Sequence, residues 1–278
     1  MRIRATVAAV SGALALSALV TPGAHATTGT PYVLDLSFRN AKVNAGKPIV
    51  VGVADPVTVP VAFTIKHGAS VDITADDFHI EVALYRGSFE EPDNTVFGSH
   101  PSTCTETSST TAVCKGRIDI TPGYDLLSND NATTWSAKGL AVALNGVDPD
   151  DEDADMSKVG RFVQDQITSN KLQRASRLTV NAAPEPVKKG RTVTVTGKLS
   201  RANWEDFQYH GYTGQSVKLQ FRKKNSSTYT TVKTVKSDSV GNLKTTTTAT
   251  ADGYFRYSFA GTRTTPAVKA AGDYVDVR

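Results

Sequence analysis

The sequence predicts an all-β protein built as two tandem β-sandwiches. Three observations lead there. Val and Thr are abundant while Met is rare, with 2 methionines in 278 residues, a β-favouring composition. Several stretches alternate apolar and polar residues with period two, as strands with one buried face do. Gly, Asn, Asp and Ser clusters separate those stretches at short-strand spacing.

The first element is not a strand. Arg2 and Arg4 precede an apolar run from Ala5 to Val20, then Pro22 and the small-residue end Ala24-His25-Ala26. A positive start, an apolar centre and an A-x-A site predict a signal peptide over 1–26. Ser11, Gly12 and Ser17 interrupt the apolar run, which is too short for a comfortable span. The mature chain is expected to begin near Thr27, secreted, with no second apolar run of membrane-spanning length.

Residues 27–172 form the first expected domain. Strands are predicted at Tyr32 to Phe38, Ile49 to Val53, Val57 to Lys66, Phe78 to Arg86, Thr111 to Ile120 and Leu140 to Leu144. Pro56 and Pro60 demote the third to an edge or bent strand. Tyr124 to Ala137 reads as a polar loop with room for a helical turn. Cys104 and Cys114 are the only cysteines. In an exported chain this spacing most simply gives one local disulfide closing a polar hairpin.

Residues 173–278 form the second, with the boundary expected between Gly160 and Arg177. Val193 and Val195 alternate with threonines, and Val217, Leu219 and Phe221 alternate with Lys218, Gln220 and Arg222. Ser176 to Asn181, Thr228 to Lys236, Asn242 to Thr250, Tyr254 to Ala260 and Asp273 to Val277 continue the series. About seven strands in about a hundred residues is the rhythm of an immunoglobulin-like sandwich.

Charge divides the same way. Residues 27–172 carry 11 Lys/Arg against 20 Asp/Glu, and residues 173–278 carry 18 against 7. Fields of opposite sign favour mutual attraction, or steering of each half to a different partner. The basic half suits an anionic wall polymer. Nucleic acid is unlikely, because the basic residues are spread over strands with no recognised binding motif.

Several segments carry a resemblance. They are Val187 to Gly197, Leu199-Ser-Arg-Ala-Asn-Trp204, Gly211-Tyr-Thr-Gly-Gln215, Val217-Lys-Leu-Gln-Phe-Arg222, Asp252-Gly-Tyr254, Gly272-Asp-Tyr-Val-Asp276, Asn44 to Gly52 and Asp72 to Asp77. They resemble a family of secreted Ig-like proteins of actinomycete bacteria, across essentially the whole mature chain. The resemblance implies export and a sandwich fold. Some members are labelled calcium-binding, and the family brings no catalytic residues with it.

Two candidate sites follow from residue chemistry. Asp148, Asp150, Asp151, Asp153 and Asp155 lie in one acidic stretch. Calcium takes several oxygen ligands in a flexible loop, so these are the ligands under a calcium reading. The spacing is not that of an EF-hand, and a solvated loop facing the basic half is the other reading. Trp204, Tyr209 and Tyr212 crowd into one inter-strand loop, suited either to stacking on sugar rings or to closing the sandwich end. Asp72, Asp76 and Asp77 read as an ordinary turn.

No histidine lies in an H-E-x-x-H pair, and no G-x-S-x-G elbow or Gly-rich phosphate loop occurs. The expectation is a secreted, non-catalytic, monomeric binding or scaffolding protein with an extracellular or cell-wall ligand. The alternatives are a calcium-binding extracellular protein and a carbohydrate-binding accessory protein. Calcium is the one cofactor these residues suggest.

Overall fold

The structure, a computed structural model, describes residues 29–278; the signal peptide expected over 1–26 lies outside them. Among the described residues no helix is long and apolar enough to cross a membrane. Two compact units form. The first comprises residues up to Ile49, Val57–Ile120 and Thr134–Lys171; the second comprises Val50–Pro56, Thr121–Thr133 and Leu172–Arg278. The units therefore differ from the two contiguous stretches expected: residues 50–56 and 121–133 fold with the second.

In the first unit, β1 (Tyr32–Val33), β2 (Leu36–Val43), β4 (Val57–His67) and β5 (Phe78–Gly87) come first, while β3 (Ile49–Val51) ends among the residues that fold with the second unit. Then come β6 (Pro92–Val96), β7 (Thr103–Ser108), β8 (Thr111–Ile120), β9 (Thr134–Ala143) and β10 (Gly160–Arg174). One sheet has the order β2-β4-β8-β7, and the other runs β1-β10-β9-β5-β6. Named by the Ig convention these are A-B-E-D and G-F-C-C′ layers. Phe38, Phe63, Ile65, Ile118 and Trp135 are buried between them. Phe38 and Phe63 meet with ring centroids 5.2 Å apart. Gly139 makes room for this packing, because a Cβ there would sit 2.6 Å from the Phe38 ring.

Two expectations are corrected here. β4 is central, paired with β2 and with β8, although it contains Pro60. The missing N–H costs nothing, because the pairing with β2 ends at Val43↔Val61 and leaves no partner waiting opposite Pro60. The segment from Gly160, expected to open the boundary, is instead a fifteen-residue strand. Its burial lacks a clean alternation, which hid it from a period-two reading.

The second unit contains β11 (Ser176–Leu178), β12 (Asn181–Ala183), β13 (Thr192–Asn203), β14 (Gln208–Gly211) and β15 (Ser216–Lys223). It is completed by β16 (Thr230–Lys236), β17 (Asn242–Thr248), β18 (Gly253–Phe259), β19 (Val268–Lys269) and β20 (Asp273–Val275). β11, β12, β14 and β17 all pair with β13, while β16-β15-β18 form the opposite sheet with β19 and β20 on β18. This is an A-B-E layer facing a C′-C-F-G layer, an immunoglobulin-like sandwich. Val193, Val195, Leu199, Val217, Leu219, Phe255, Tyr257 and Phe259 fill the space between. The Tyr257 hydroxyl donates to the Val195 carbonyl at 2.9 Å, and burial pushes its pKa up to about 12.

Candidate functional site

The cysteines are joined as expected. Cys104 and Cys114 are directly opposite on β7 and β8, with Cα atoms 4.0 Å apart, so the bond staples an edge strand to its neighbour.

The acidic stretch is a run of self-capped turns. Asp148 Oδ1 accepts from the Asp150 N–H at 3.0 Å, and Asp151 Oδ1 accepts from the Asp153 N–H at 3.0 Å. Asp155 Oδ1 accepts from the Ser157 N–H at 3.1 Å and from its hydroxyl at 2.6 Å, which lowers the Asp155 pKa. Asx-type turns of this kind use carboxylates to hold backbone rather than to surround an ion. Beneath them Ala154 and Met156 are buried on the outer face of the G-F-C-C′ sheet, with Leu140, Val142 and Val159. The loop is thus a lid with an apolar underside. Among the described residues no three His, Cys, Asp or Glu side chains gather closely enough to hold a metal.

Asp72 is likewise a turn residue, accepting from the Thr74 N–H at 2.9 Å and from its hydroxyl at 2.7 Å.

The aromatic loop separates into different environments. Trp204 is 1% exposed, and its indole N–H donates to the Gly52 carbonyl at 2.8 Å. It cannot stack on a sugar; this corrects the ligand-binding reading of that residue. Segment 50–56 of the same unit supplies the wall that encloses it, and nothing near Trp204 in sequence announced that. Tyr209 is half-buried under the Arg177 guanidinium, 3.6 Å from ring centroid to Cζ. Tyr212 is half-buried, with Arg201 Cζ 4.0 Å over one face and Phe259 edge-on at 5.8 Å. Phe207 is the aromatic of the loop left exposed.

A more coherent surface lies on the outward face of the C′-C-F-G sheet. Phe221, Phe255 and Val275 point inward, so their neighbours Arg222, Tyr254, Arg256 and Tyr274 must point outward. The register then aligns them: Arg222 is opposite Tyr254, and Tyr254 is opposite Tyr274. The Arg222 Cζ sits 3.8 Å from the Tyr254 ring centroid, and the Tyr254 and Tyr274 centroids are 5.1 Å apart. Tyr229, just before β16, lies across the next row with Arg256 Cζ at 3.6 Å and Arg222 Cζ at 5.4 Å. Lys224 Nζ extends the row at 5.5 Å from Tyr274.

The two guanidiniums rest on neutral groups, while Lys224 also feels Asp252 and Asp276. Arg256 Nε donates to Gln220 Oε1 at 2.9 Å, and Arg222 Nη1 donates to the Ser226 carbonyl at 2.9 Å. A guanidinium on a ring keeps its charge and its outward N–H groups. Sequence reasoning placed Arg222 outward but did not assemble this row. The signal was present as the polar half of each alternation; the cross-strand register was missing.

No protein-family model matches the chain, and no curated protein matches it. Among solved structures it is similar to the adhesin InvE of Yersinia pseudotuberculosis, at 12% identity and TM-score 0.24, covering 87% of this chain and 58% of that one. It is similar to the ectodomain of mouse nectin-like molecule 4, at 9% identity and TM-score 0.22, covering 89% and 65%. Tandem Ig repeats of Dlar match at 10% identity and TM-score 0.20, covering 86% and 98%. This chain thus spans less than two thirds of the first two. The architecture given above rests on the sheets and registers themselves.

Proposed function

We propose that this is a secreted, non-catalytic binding protein that holds an anionic extracellular polymer on the C′-C-F-G face of its second unit. The observation that carries the reading is the cross-strand row Arg222, Tyr254 and Tyr274, with Arg256 on Tyr229 beside it. Stacked rings hold two guanidiniums at low entropy cost, and the register sets them diagonally on the neighbouring strands β15 and β18. Repeated negative charge along a polymer suits such a row better than a single small ligand does. The disulfide and the leader-like start of the sequence support a location outside the cytoplasm.

The test is retention of the mature protein on an acidic polysaccharide matrix, with a neutral polysaccharide as control. The reading expects salt-dependent retention on the acidic matrix alone, weakened about tenfold or more by Arg222→Gln with Arg256→Gln. Equal elution from both matrices would overturn it.

A further inference from the structure

A second cationic site lies at one end of the same unit. Arg174, in the last residues of β10, which fold with this second unit, is 8% exposed. Its Nε donates to the Ala202 carbonyl at 2.6 Å, and its backbone N–H donates to the Thr264 carbonyl at 3.0 Å. Arg201, on β13, reaches the same 262–265 turn, with Nη1 3.5 Å from the Thr265 hydroxyl. Its Nε is buried without a hydrogen-bond partner, and its guanidinium plane lies on Tyr212. Gln173 Nε2 fixes the turn by donating to the Thr262 and Arg263 carbonyls at 3.2 and 3.1 Å. Thr262 and Arg263 are exposed at the rim.

Buried charges are ordinarily paired, because desolvating an unpaired ion costs several kcal/mol. Here Arg201 reaches the turn with its guanidinium and Arg174 with its backbone N–H, the Arg174 guanidinium lies on the Ala202 carbonyl beside Arg201, and among the described residues neither has a carboxylate within salt-bridge distance. Burial and the Arg201 charge together bring the Arg174 pKa down to about 10, and burial lowers that of Arg201. Glu205 and Asp130 act on Arg174 from further off. Glu205 is itself engaged, its Oε1 accepting the Asn129 N–H at 3.0 Å. A compact oxyanion has the charge and the acceptor geometry that guanidinium groups recognise.

We propose that Arg174 and Arg201 form an oxyanion site, taking a sulfate or phosphate group with Tyr212 and Thr262 at its edge. The group is either a free inorganic ion or a substituent on a larger ligand. This site is independent of the sheet face described above.

The experiment is thermal unfolding of the mature protein in sodium sulfate and sodium phosphate, against sodium chloride at equal ionic strength. A ligand that binds only the folded state raises Tm by mass action. The expected result is a saturable rise of about 5 °C for the second unit. Sulfate also stabilises proteins by general exclusion, so Arg201→Gln is the control and should remove the saturable part. Arg201→Lys keeps the charge without the fork and should weaken binding at least several-fold, which distinguishes a site from a general field.

The Arg201 Nε–H resonance gives a second readout, shifting on sulfate titration in the folded protein. Saturation at lower concentration with a sulfated oligosaccharide than with inorganic sulfate assigns the group to a larger ligand; equal concentrations assign it to the free ion. A rise no larger than in chloride, or an identical saturable rise in Arg201→Gln, overturns the proposal.

Discussion

Trp204 and Gly52 are 152 residues apart in sequence, yet the indole N–H of one donates to the carbonyl of the other at 2.8 Å. This bond ties the 50–56 segment to the end of β13 within the second unit. It turns the largest side chain of the aromatic loop into core. Trp204→Ala should destabilise the second unit by about 3–5 kcal/mol through lost burial and a cavity. Trp204→Phe keeps most of the volume and should cost about 1–2 kcal/mol, mostly for the carbonyl left without its donor. Denaturant unfolding followed by tryptophan and tyrosine fluorescence checks both. Loss of polymer binding in a fully folded Trp204→Phe variant would contradict the placement.

Glu81 on β5 predicts a pH dependence for the first unit. Its side chain is 4% exposed, Oε1 has no hydrogen-bond partner, and burial raises its pKa from 4.5 to about 7, opposed in part by the Lys138 charge. Lys138 Nζ sits over the rings of Tyr85, Phe89 and Phe97 at 5.6 to 5.8 Å. The folded state holds the Glu81 proton more tightly than the unfolded chain does. Protonated Glu81 therefore contributes stability fully below about pH 4.5, and the contribution is lost as pH rises through about 7. The span is on the order of 3 kcal/mol. Glu81→Gln should flatten that part of the profile and stabilise the first unit at pH 8. A wild-type and a variant profile that run parallel from pH 4.5 to 8 would rule this out.

The stacked row on the C′-C-F-G sheet should show measurable coupling. A double-mutant cycle on Arg222 and Tyr254 is expected to give about 0.5–1 kcal/mol of interaction energy in urea unfolding. Zero coupling would mean that the ring does not hold the guanidinium in place.

Reduction of the Cys104–Cys114 bond should lower stability of the first unit by roughly 2–3 kcal/mol, the cost of reopening a short loop. The second unit contains no cysteine and should melt unchanged in reductant. Calorimetry with and without reductant separates the two transitions.

The turns at Asp148, Asp151 and Asp155 are held by their own side-chain hydrogen bonds. Melting in excess calcium and in chelator is therefore expected to coincide. A rise confined to calcium would show that the loop rearranges to gather its carboxylates.

The β class, the strands with clean alternation and the cysteine hairpin were legible in the residues alone. Each of these is local: period-two patterns and turn residues act within a few positions. Val217, Leu219 and Phe221 inward with Arg222 outward could be read directly, because one strand sets its own faces. β10 escaped because it lacks that alternation. Folding of each whole unit puts Trp204 in the core, lays the acidic stretch over Leu140 and Val142, and lines up Arg222, Tyr254 and Tyr274 in one row. Those outcomes depend on register and on which distant segment covers which surface. Both are settled by burial summed over the whole unit, which no short window of sequence contains.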